Sequence, residues 1–287
     1  TFGPDNSGAD THTGHGTHVA GIMLGDGSGD STYQGIAPAT TFQFYQLEHD
    51  QSGQLARWGS LYDMFRHSRQ QSAGVHSNSW GAENMGGQYT SDSRSADAFM
   101  DDYGDYTVLF AAGNDGTSGQ TTVSPPSTAK NVLTVGASTT GRPFTASVGQ
   151  VASFSSRGNT LDGRIKPDIV APGVQICSAR AEEAQYPAGP SCSNARHGNN
   201  DPMYMKADGT STATPVAAGA TVLVRQFLRN HMNLNQPRSD LIRAIIINGA
   251  KDIGSPDIPN SDEGWGQIDL QRSIYPTSGI LALNTFF

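Results

Sequence analysis

Apolar residues recur along the chain with helical spacing in some segments and as short continuous runs in others. Apolar positions three or four residues apart predict amphipathic helices, whereas short β-branched runs predict strands. Helices are predicted over residues 18–24, 60–72, 94–104, 213–231 and 239–250. Strands are predicted over residues 40–47, 74–81, 106–114, 131–138 and 167–173.

The strands over 106–114 and 131–138 are apolar along their whole length, which is typical of strands buried on both faces of a parallel sheet. Strands and helices alternate along the chain. This order predicts an α/β fold, with a doubly wound, mostly parallel sheet and helices on both faces. No internal boundary is evident, so residues 1–287 are expected to form one domain.

Composition narrows the range of partners. Only 15% of the residues are charged, the formal net charge is −8, and no basic run occurs. This argues against nucleic acid or an anionic membrane as a partner. No apolar stretch approaches the roughly 18 residues that a membrane span needs.

Cys177 and Cys192 lie on either side of a polar stretch that contains Gly and Pro. In an oxidising compartment they would form a disulfide that closes this loop, with a stabilisation of about 3 kcal/mol. The alternative is two free thiols.

Three histidines, His12, His15 and His18, are spaced three residues apart near the start of the chain. On a helix, residues at i, i+3 and i+6 drift around the axis, so the three rings would not face one metal ion. The glycines at positions 14 and 16 also suggest that the helix begins only near His15. We therefore expect no metal at these histidines.

Ser211 lies between Gly209 and Pro215, just before an apolar helix. A hydroxyl at a helix N-terminus faces backbone N–H groups that favour developing negative charge. Asn114 follows an apolar strand, at the edge where parallel sheets bind ligands. Each residue also has a simpler interpretation, because Ser is a common N-cap and Asn is common in turns.

Ser79, Trp80 and Gly81 end another strand and could pair with an extended peptide. The simpler alternative is a buried aromatic residue.

Five segments carry a family resemblance when they are taken together, in this order. They are "HGTHVAGI", "NSWG", "AAGN", "KPDIVAPG" and "GTSTATPVAAG". The chain resembles the subtilisin-like serine proteases from about residue 10 to residue 270, and "GIAPAT" and "GWGQIDL" fit the same family.

The resemblance implies that His15 is the general base and Ser211 the nucleophile, with His18 structural. Asn114 and the backbone N–H of Ser211 would form the oxyanion hole. These roles agree with the chemistry, because a serine hydroxyl needs a base and the tetrahedral oxyanion needs pre-placed donors.

The resemblance also implies which residues bind the substrate. Ser79, Trp80 and Gly81 would bond the substrate backbone. The pocket for the residue before the scissile bond would be lined by Ala111, Ala112, Gly113 and Ser124. The implied enzyme is secreted, is made as a zymogen, acts on polypeptides and needs no cofactor for its chemistry. Structural calcium is compatible with the family, but "GDGSGDS" and "GNDGTSG" read more simply as turns.

This sequence departs from the family pattern at two places. Thr212 follows the nucleophile, where bacterial subtilisins often have Met. The family's triad aspartate ends an apolar strand upstream of the base, but only Asp5 and Asp10 precede His15, and neither follows an apolar run.

We therefore expect the chain to be part of a longer catalytic domain. An N-terminal segment that carries the aspartate would be missing from the chain, or would associate as a separate piece. A further C-terminal domain would follow the apolar segment 278–287. The alternatives are a catalytically impaired pseudo-protease or peptide-binding module and, more remotely, a metal-dependent hydrolase.

Overall fold

Four parallel strands form the central sheet and are neighbours in the order in which they occur along the chain. The structure is a computed structural model, which describes residues 8–57, 59–140, 149–187, 189–254 and 257–275. Asp5 and the segment 278–287 lie outside the described residues. The strands are β1 (Val75–Asn78), β2 (Thr107–Ala111), β3 (Leu133–Ser138) and β4 (Ile169–Pro172). A smaller antiparallel pair is formed by β5 (Ile176–Ala179) and β6 (Tyr204–Ala207).

Six α-helices complete the described fold: α1 (His15–Leu24), α2 (Leu61–Gln70), α3 (Ser91–Asp102), α4 (Thr210–His231), α5 (Ser239–Gly249) and α6 (Leu270–Ile274). Short 3-10 turns lie at Ser31–Tyr33 and Gly116–Ser118. Helices α4 and α5 pack on one face of the sheet and α2 and α3 on the other. The two hydrophobic cores so formed confirm the α/β fold, with helices on both faces of a parallel sheet.

Side-chain alternation along β2 divides these cores. Leu109 packs with α4 and α5, whereas Val108 and Phe110 pack with α2 and α3. Successive side chains of a strand point to opposite faces, so an apolar run is required where both faces are covered. The same requirement explains the fully buried pattern of β3.

The predicted helices are all present, and four of the five predicted strands are present. The prediction of a strand over 40–47 is wrong: no strand forms there, and Phe42 and Phe44 are 61% and 50% exposed. A strand needs a neighbour for its backbone N–H and C=O groups. A cavity of about 670 Å³ is lined by both the 40–47 segment and β1.

Cys177 and Cys192 form a disulfide, which confirms the first of the two alternatives. It ties β5 to the loop that returns to β6. No helix in the described part of the chain is both long enough and apolar enough to cross a bilayer.

Candidate active site

Two helices begin and two strands end near one edge of the sheet. His15 is the first residue of α1, and Ser211 lies in the first turn of α4. Ser79 directly follows β1, and Asn114 follows β2 after two intervening residues. The carboxyl ends of parallel strands share one edge, where such sheets bind ligands.

Asn114 is held by the residue that precedes the nucleophile. Its Oδ1 accepts hydrogen bonds from the backbone N–H and the hydroxyl of Thr210, at 2.9 and 3.0 Å. These two donors identify the oxygen end of the amide, so Nδ2 points away from Thr210. A Cβ built on Gly209 would lie 3.7 Å from Asn114 Nδ2 and 2.9 Å from Ser211 Oγ. The amide donor and the serine hydroxyl therefore approach the same point.

Gly209 is required at that point. Its φ is 152°, a backbone conformation that side chains rarely adopt, and any Cβ would crowd Ser211 Oγ. Gly209 is also the N-cap residue of α4. Because Gly209 has no side chain, Ser211 Oγ is not blocked at the start of α4.

The start of α4 offers donors for an anion. The first N–H groups of a helix, which include that of Ser211, have no partner within the helix, and the helix dipole favours negative charge there. The Thr210 N–H is bonded to Asn114 Oδ1, and the Thr212 N–H is bonded to the Gly209 carbonyl. The Ser211 N–H and Asn114 Nδ2 together form an arrangement that can stabilise an oxyanion beside Ser211 Oγ.

His15 stands at the start of α1, which packs against α4. Burial of its ring lowers the pKa of His15, and the negative charge of Asp10 opposes that shift. A lowered pKa keeps the imidazole neutral near pH 7, which is the state a general base needs. Within the described residues, no hydrogen bond joins the His15 ring to Ser211 or to a carboxylate.

The other two histidines have separate surroundings. His18 is 1% exposed, and its Nε2 lies 3.1 Å from the carbonyl oxygen of Met205. Burial lowers the pKa of His18 to about 4. The His12 ring packs at a tilt against Tyr186. The three rings thus have separate surroundings, and the group of ligand atoms suited to a cation within the described residues includes none of them. His18 packs in the interior.

Sequence reasoning missed three contacts around this site. Asp10 does not end an apolar strand, but its Oδ2 accepts a hydrogen bond from the backbone N–H of Thr17 in α1. No motif singles out Thr210, although its backbone N–H and hydroxyl both donate to Asn114 Oδ1. Ser79 was assigned by its backbone, yet its hydroxyl donates to the carbonyl of Ser211 at 2.8 Å.

The expected pocket residues lie close together. A Cβ on Gly113 would meet Ser124 Oγ at 2.6 Å, and one on Gly81 would meet Ser124 Cβ at 3.2 Å. Ala111 and Ala112 are buried at the end of β2. Trp80 packs edge-on against Phe110 at 5.4 Å, so it contributes to the core as well as to this surface.

A second cavity, of about 480 Å³, opens beside Trp80 and Gly81. Arg57 and Asp92, which form an ion pair, line this cavity. The segment 79–81 thus borders both cavities.

The described residues contain one acidic group suited to a cation, formed by Asp252, Asp257 and Glu263. Its ligand atoms lie within 4.8 Å of one another. The Asn260 side chain already donates to Asp257 and Glu263. In the 25–31 loop, the Asp26 and Asp30 carboxylates accept hydrogen bonds from backbone N–H groups of their own turns, as the simpler interpretation predicted.

Comparison with known proteins identifies similar sequences and folds. The sequence profile of the subtilase family matches residues 2–266. The serine protease AprX of Bacillus subtilis is 32% identical over 270 residues, which cover 91% of this chain and 58% of AprX. The serine protease/ABC transporter B family protein tagD of Dictyostelium discoideum is 28% identical, over 92% of this chain and 20% of tagD. The chain thus spans only part of the length of these relatives.

Solved structures give the same fold. Sphericase superposes with a TM-score of 0.68 at 25% identity, covering 93% of this chain and 80% of sphericase. The CspB protease of Clostridium perfringens superposes with a TM-score of 0.73 at 16% identity, covering 92% of this chain and 79% of CspB.

Proposed function

Because the chain belongs to the subtilase family, we propose that it is a serine endopeptidase that cleaves polypeptides through an acyl-enzyme. The observation that carries this proposal is the approach of Asn114 Nδ2 and Ser211 Oγ to one point at the start of α4. A hydroxyl nucleophile beside an amide donor and a helix N-terminus suits attack on a carbonyl carbon.

In this mechanism His15 takes the proton of Ser211 Oγ as the oxygen attacks the scissile carbonyl, and the carbonyl oxygen becomes an oxyanion. Asn114 Nδ2 and the backbone N–H of Ser211 donate hydrogen bonds to that oxyanion. His15 then gives its proton to the leaving amine, and the same steps with water release the acyl group. The lowered pKa of the half-buried His15 ring, which favours its neutral form, supports this role.

The substrate would lie in extended form along Ser79, Trp80 and Gly81. The side chain before the scissile bond would enter the pocket formed by Ala111, Ala112, Gly113 and Ser124. The closeness of Gly113 and Gly81 to Ser124 supports this pocket.

An N-terminal segment that carries an aspartate would complete the site. The cavity of about 670 Å³ lies along β1, and both His15 and Ser79 line it. The ring nitrogens of His76 and the hydroxyl of Ser77, both on β1, are buried and have no hydrogen-bond partner within the described part of the chain. We propose that one extended strand occupies this cavity, pairs with β1 and brings a carboxylate to the His15 ring.

The disulfide between Cys177 and Cys192 supports an extracellular location, because such bonds persist in oxidising compartments. Calcium would be structural only, and the group of Asp252, Asp257 and Glu263 is the place to look for it.

Reaction with a fluorophosphonate probe tests whether Ser211 is a nucleophile. Covalent labelling of Ser211, located by peptide mass spectrometry and lost in Ser211→Ala, is the expected result. A protein that binds extended peptides but never labels would instead be a binding module. Immediate loss of activity on adding a chelator would point to a metal-dependent hydrolase.

Two matched peptides test whether an added strand supplies the carboxylate to His15. An apolar peptide that ends in Asp-Thr-Gly should accelerate labelling, by up to about 10⁴-fold if no carboxylate orients His15 beforehand. The same peptide with Asn in place of Asp should bind without this acceleration. Equal effects of the two peptides would contradict the proposed carboxylate.

A further inference from the structure

We propose that Ser79 is a positioning residue for the nucleophile, and that its hydroxyl replaces a backbone donor that Pro215 removes from α4. This inference rests on the proposed function, because it assigns a role to the support of Ser211. It goes beyond that function in giving the Ser79 side chain a task separate from substrate binding.

The argument begins with the helix itself. In an α-helix the carbonyl of residue i accepts from the N–H of residue i+4, so the partner of the Ser211 carbonyl would be residue 215. That residue is Pro215, which has no N–H, and α4 nevertheless runs unbroken from Thr210 to His231. The Ser211 carbonyl therefore lacks its regular helical donor.

Ser79 provides a donor from another element. Its Oγ lies 2.8 Å from the Ser211 carbonyl oxygen, a normal distance for a hydroxyl hydrogen bond. Ser79 is fixed in turn, since it follows β1 directly and the neighbouring Asn78 is buried and donates to the carbonyl of Leu109. The hydrogen bond thus joins the end of a core strand to the backbone of the nucleophile.

Neighbouring carbonyls at the start of α4 have other partners. The Thr212 hydroxyl bonds the carbonyl of Gly209, and the Thr214 hydroxyl bonds the carbonyl of Thr210. These two hydroxyls belong to the helix, whereas Ser79 comes from β1. Asn114 holds Thr210 from the end of β2, and the Thr212 hydroxyl also bonds the Gly173 carbonyl, which follows β4. Among the described residues, the bond from Ser79 is the one that a sheet segment makes to the backbone of Ser211 itself.

The expected consequence is kinetic. A shift of about 1 Å in a reacting group can cost 10²-fold in rate. Loss of the Ser79 hydroxyl would let the Ser211 backbone move, so it should slow attack by Ser211 Oγ. It should leave affinity for a non-reacting ligand unchanged, because the backbone groups of residues 79–81 remain.

A double-mutant cycle in the full-length protein tests this, with the rate of fluorophosphonate labelling of Ser211 as the readout. We expect Ser79→Ala to lower the limiting labelling rate about tenfold, as the loss of one hydrogen bond to a partly buried carbonyl would, and to leave the half-saturating probe concentration unchanged. Pro215→Ala gives the helix an N–H at position 215. In that background Ser79→Ala should cost less than about twofold. Ser79→Thr, which keeps a hydroxyl, should retain most of the rate.

Ser138→Ala is the matched control, because Ser138 lies on β3 of the same sheet and its buried hydroxyl has no partner among the described residues. It should leave the labelling rate unchanged. Thermal unfolding of every variant distinguishes a loss of folding from a displacement of the Ser211 backbone. If Ser79→Ala labels as fast as the parent, or slows labelling equally with and without Pro215, the inference is wrong. If the unaltered protein does not label at all, the proposed function itself is wrong.

Discussion

The Asp10 carboxylate accepts a hydrogen bond from the backbone N–H of Thr17, at 2.6 Å, and so caps the helix that begins with His15. The formal N-cap residue of α1 is Gly14, which has a φ of 71° and no side chain to serve as acceptor. Asp10 is 9% exposed and fills that role from outside the helix. One side chain thus holds the start of α1 and places a negative charge near the candidate base.

Asp10→Asn should shift the pH dependence of Ser211 labelling. Asp10 raises the pKa of His15 against the lowering effect of burial. Removing the charge should therefore lower the pKa of His15 further, so that the neutral ring persists to lower pH. The acid limb of the pH–rate profile for labelling should shift to lower pH. The amide keeps an acceptor for Thr17, so stability should change by only a few tenths of a kcal/mol.

Asp10→Ala is the comparison variant. It should show the same shift and lose about 1 kcal/mol of unfolding free energy with the cap. Other charged or titratable groups near this region stay in place in both variants; they are Glu48, Glu183, His12, His18, Arg225 and Arg229. An unmoved acid limb in Asp10→Asn would show that Asp10 acts as a cap only.

These contacts indicate what the sequence can and cannot reveal. The helical spacing of apolar residues predicts α4, and a continuous apolar run predicts β2. Both elements are largely buried, so the positions that face the core must be apolar. The segment 40–47 has the composition of a strand, but strand formation depends on a partner elsewhere in the chain. A cap from Asp10, which lies outside the helix, follows from the path of the backbone and has no fixed spacing.

The same limit applies at the candidate site. The motifs predict Ser211 and Asn114 as site residues, since each stands at a fixed offset from glycines. The hydroxyl of Ser79 reaches Ser211 across 132 positions. The missing N–H of Pro215 was the available signal, because a proline inside a helix leaves one identified carbonyl in need of a donor.

Asn114→Asp should reduce labelling of Ser211 by at least about 10²-fold, the usual loss for one oxyanion donor. Aspartate keeps oxygen acceptors for the N–H and hydroxyl of Thr210, but it has no amide donor. Thr210→Val is the matched variant, because it removes one of the two bonds to Asn114 Oδ1 and leaves Nδ2 intact. Its loss should be smaller. A larger loss in Thr210→Val than in Asn114→Asp would mean that Asn114 acts mainly as a structural acceptor.

Activity should survive dilute peroxide. Thr212 follows the nucleophile, is 1% exposed, and donates a hydrogen bond to the Gly209 carbonyl at 2.8 Å. A threonine has no thioether to oxidise, so the first turn of α4 should not change. Thr212→Met is the control and should lose activity on the same treatment. Mass spectrometry of the peptide that carries Ser211 would locate any damage, and rapid loss traced to that peptide in the unaltered protein would contradict this expectation.

Asp168 should be essential to stability because it links two buried or partly buried cations. Its carboxylate accepts from Lys166 Nζ at 2.6 Å and from Arg243 at 3.1 Å, and also from the backbone N–H of Thr134. Burial would raise the pKa of Asp168, but the charges of Lys166 and Arg243 outweigh it and hold that pKa below the usual value. Burial lowers the pKa of Lys166 to about 8, so both partners are charged near pH 6.

Asp168→Asn should cost about 3–5 kcal/mol of unfolding free energy near pH 6, because it leaves Lys166 buried without its counter-charge. A group whose folded-state pKa is depressed contributes stability above its unfolded pKa, about 3.9 for aspartate, and loses it as the pH falls through the folded value. The stability gap between the parent and Asp168→Asn should therefore narrow on acidification below about pH 4. Asp240→Asn breaks the exposed pair with Arg238 and should cost less than about 1 kcal/mol. Denaturant unfolding at several pH values measures both, and equal losses in the two variants would show that the buried pair contributes no more than the exposed one.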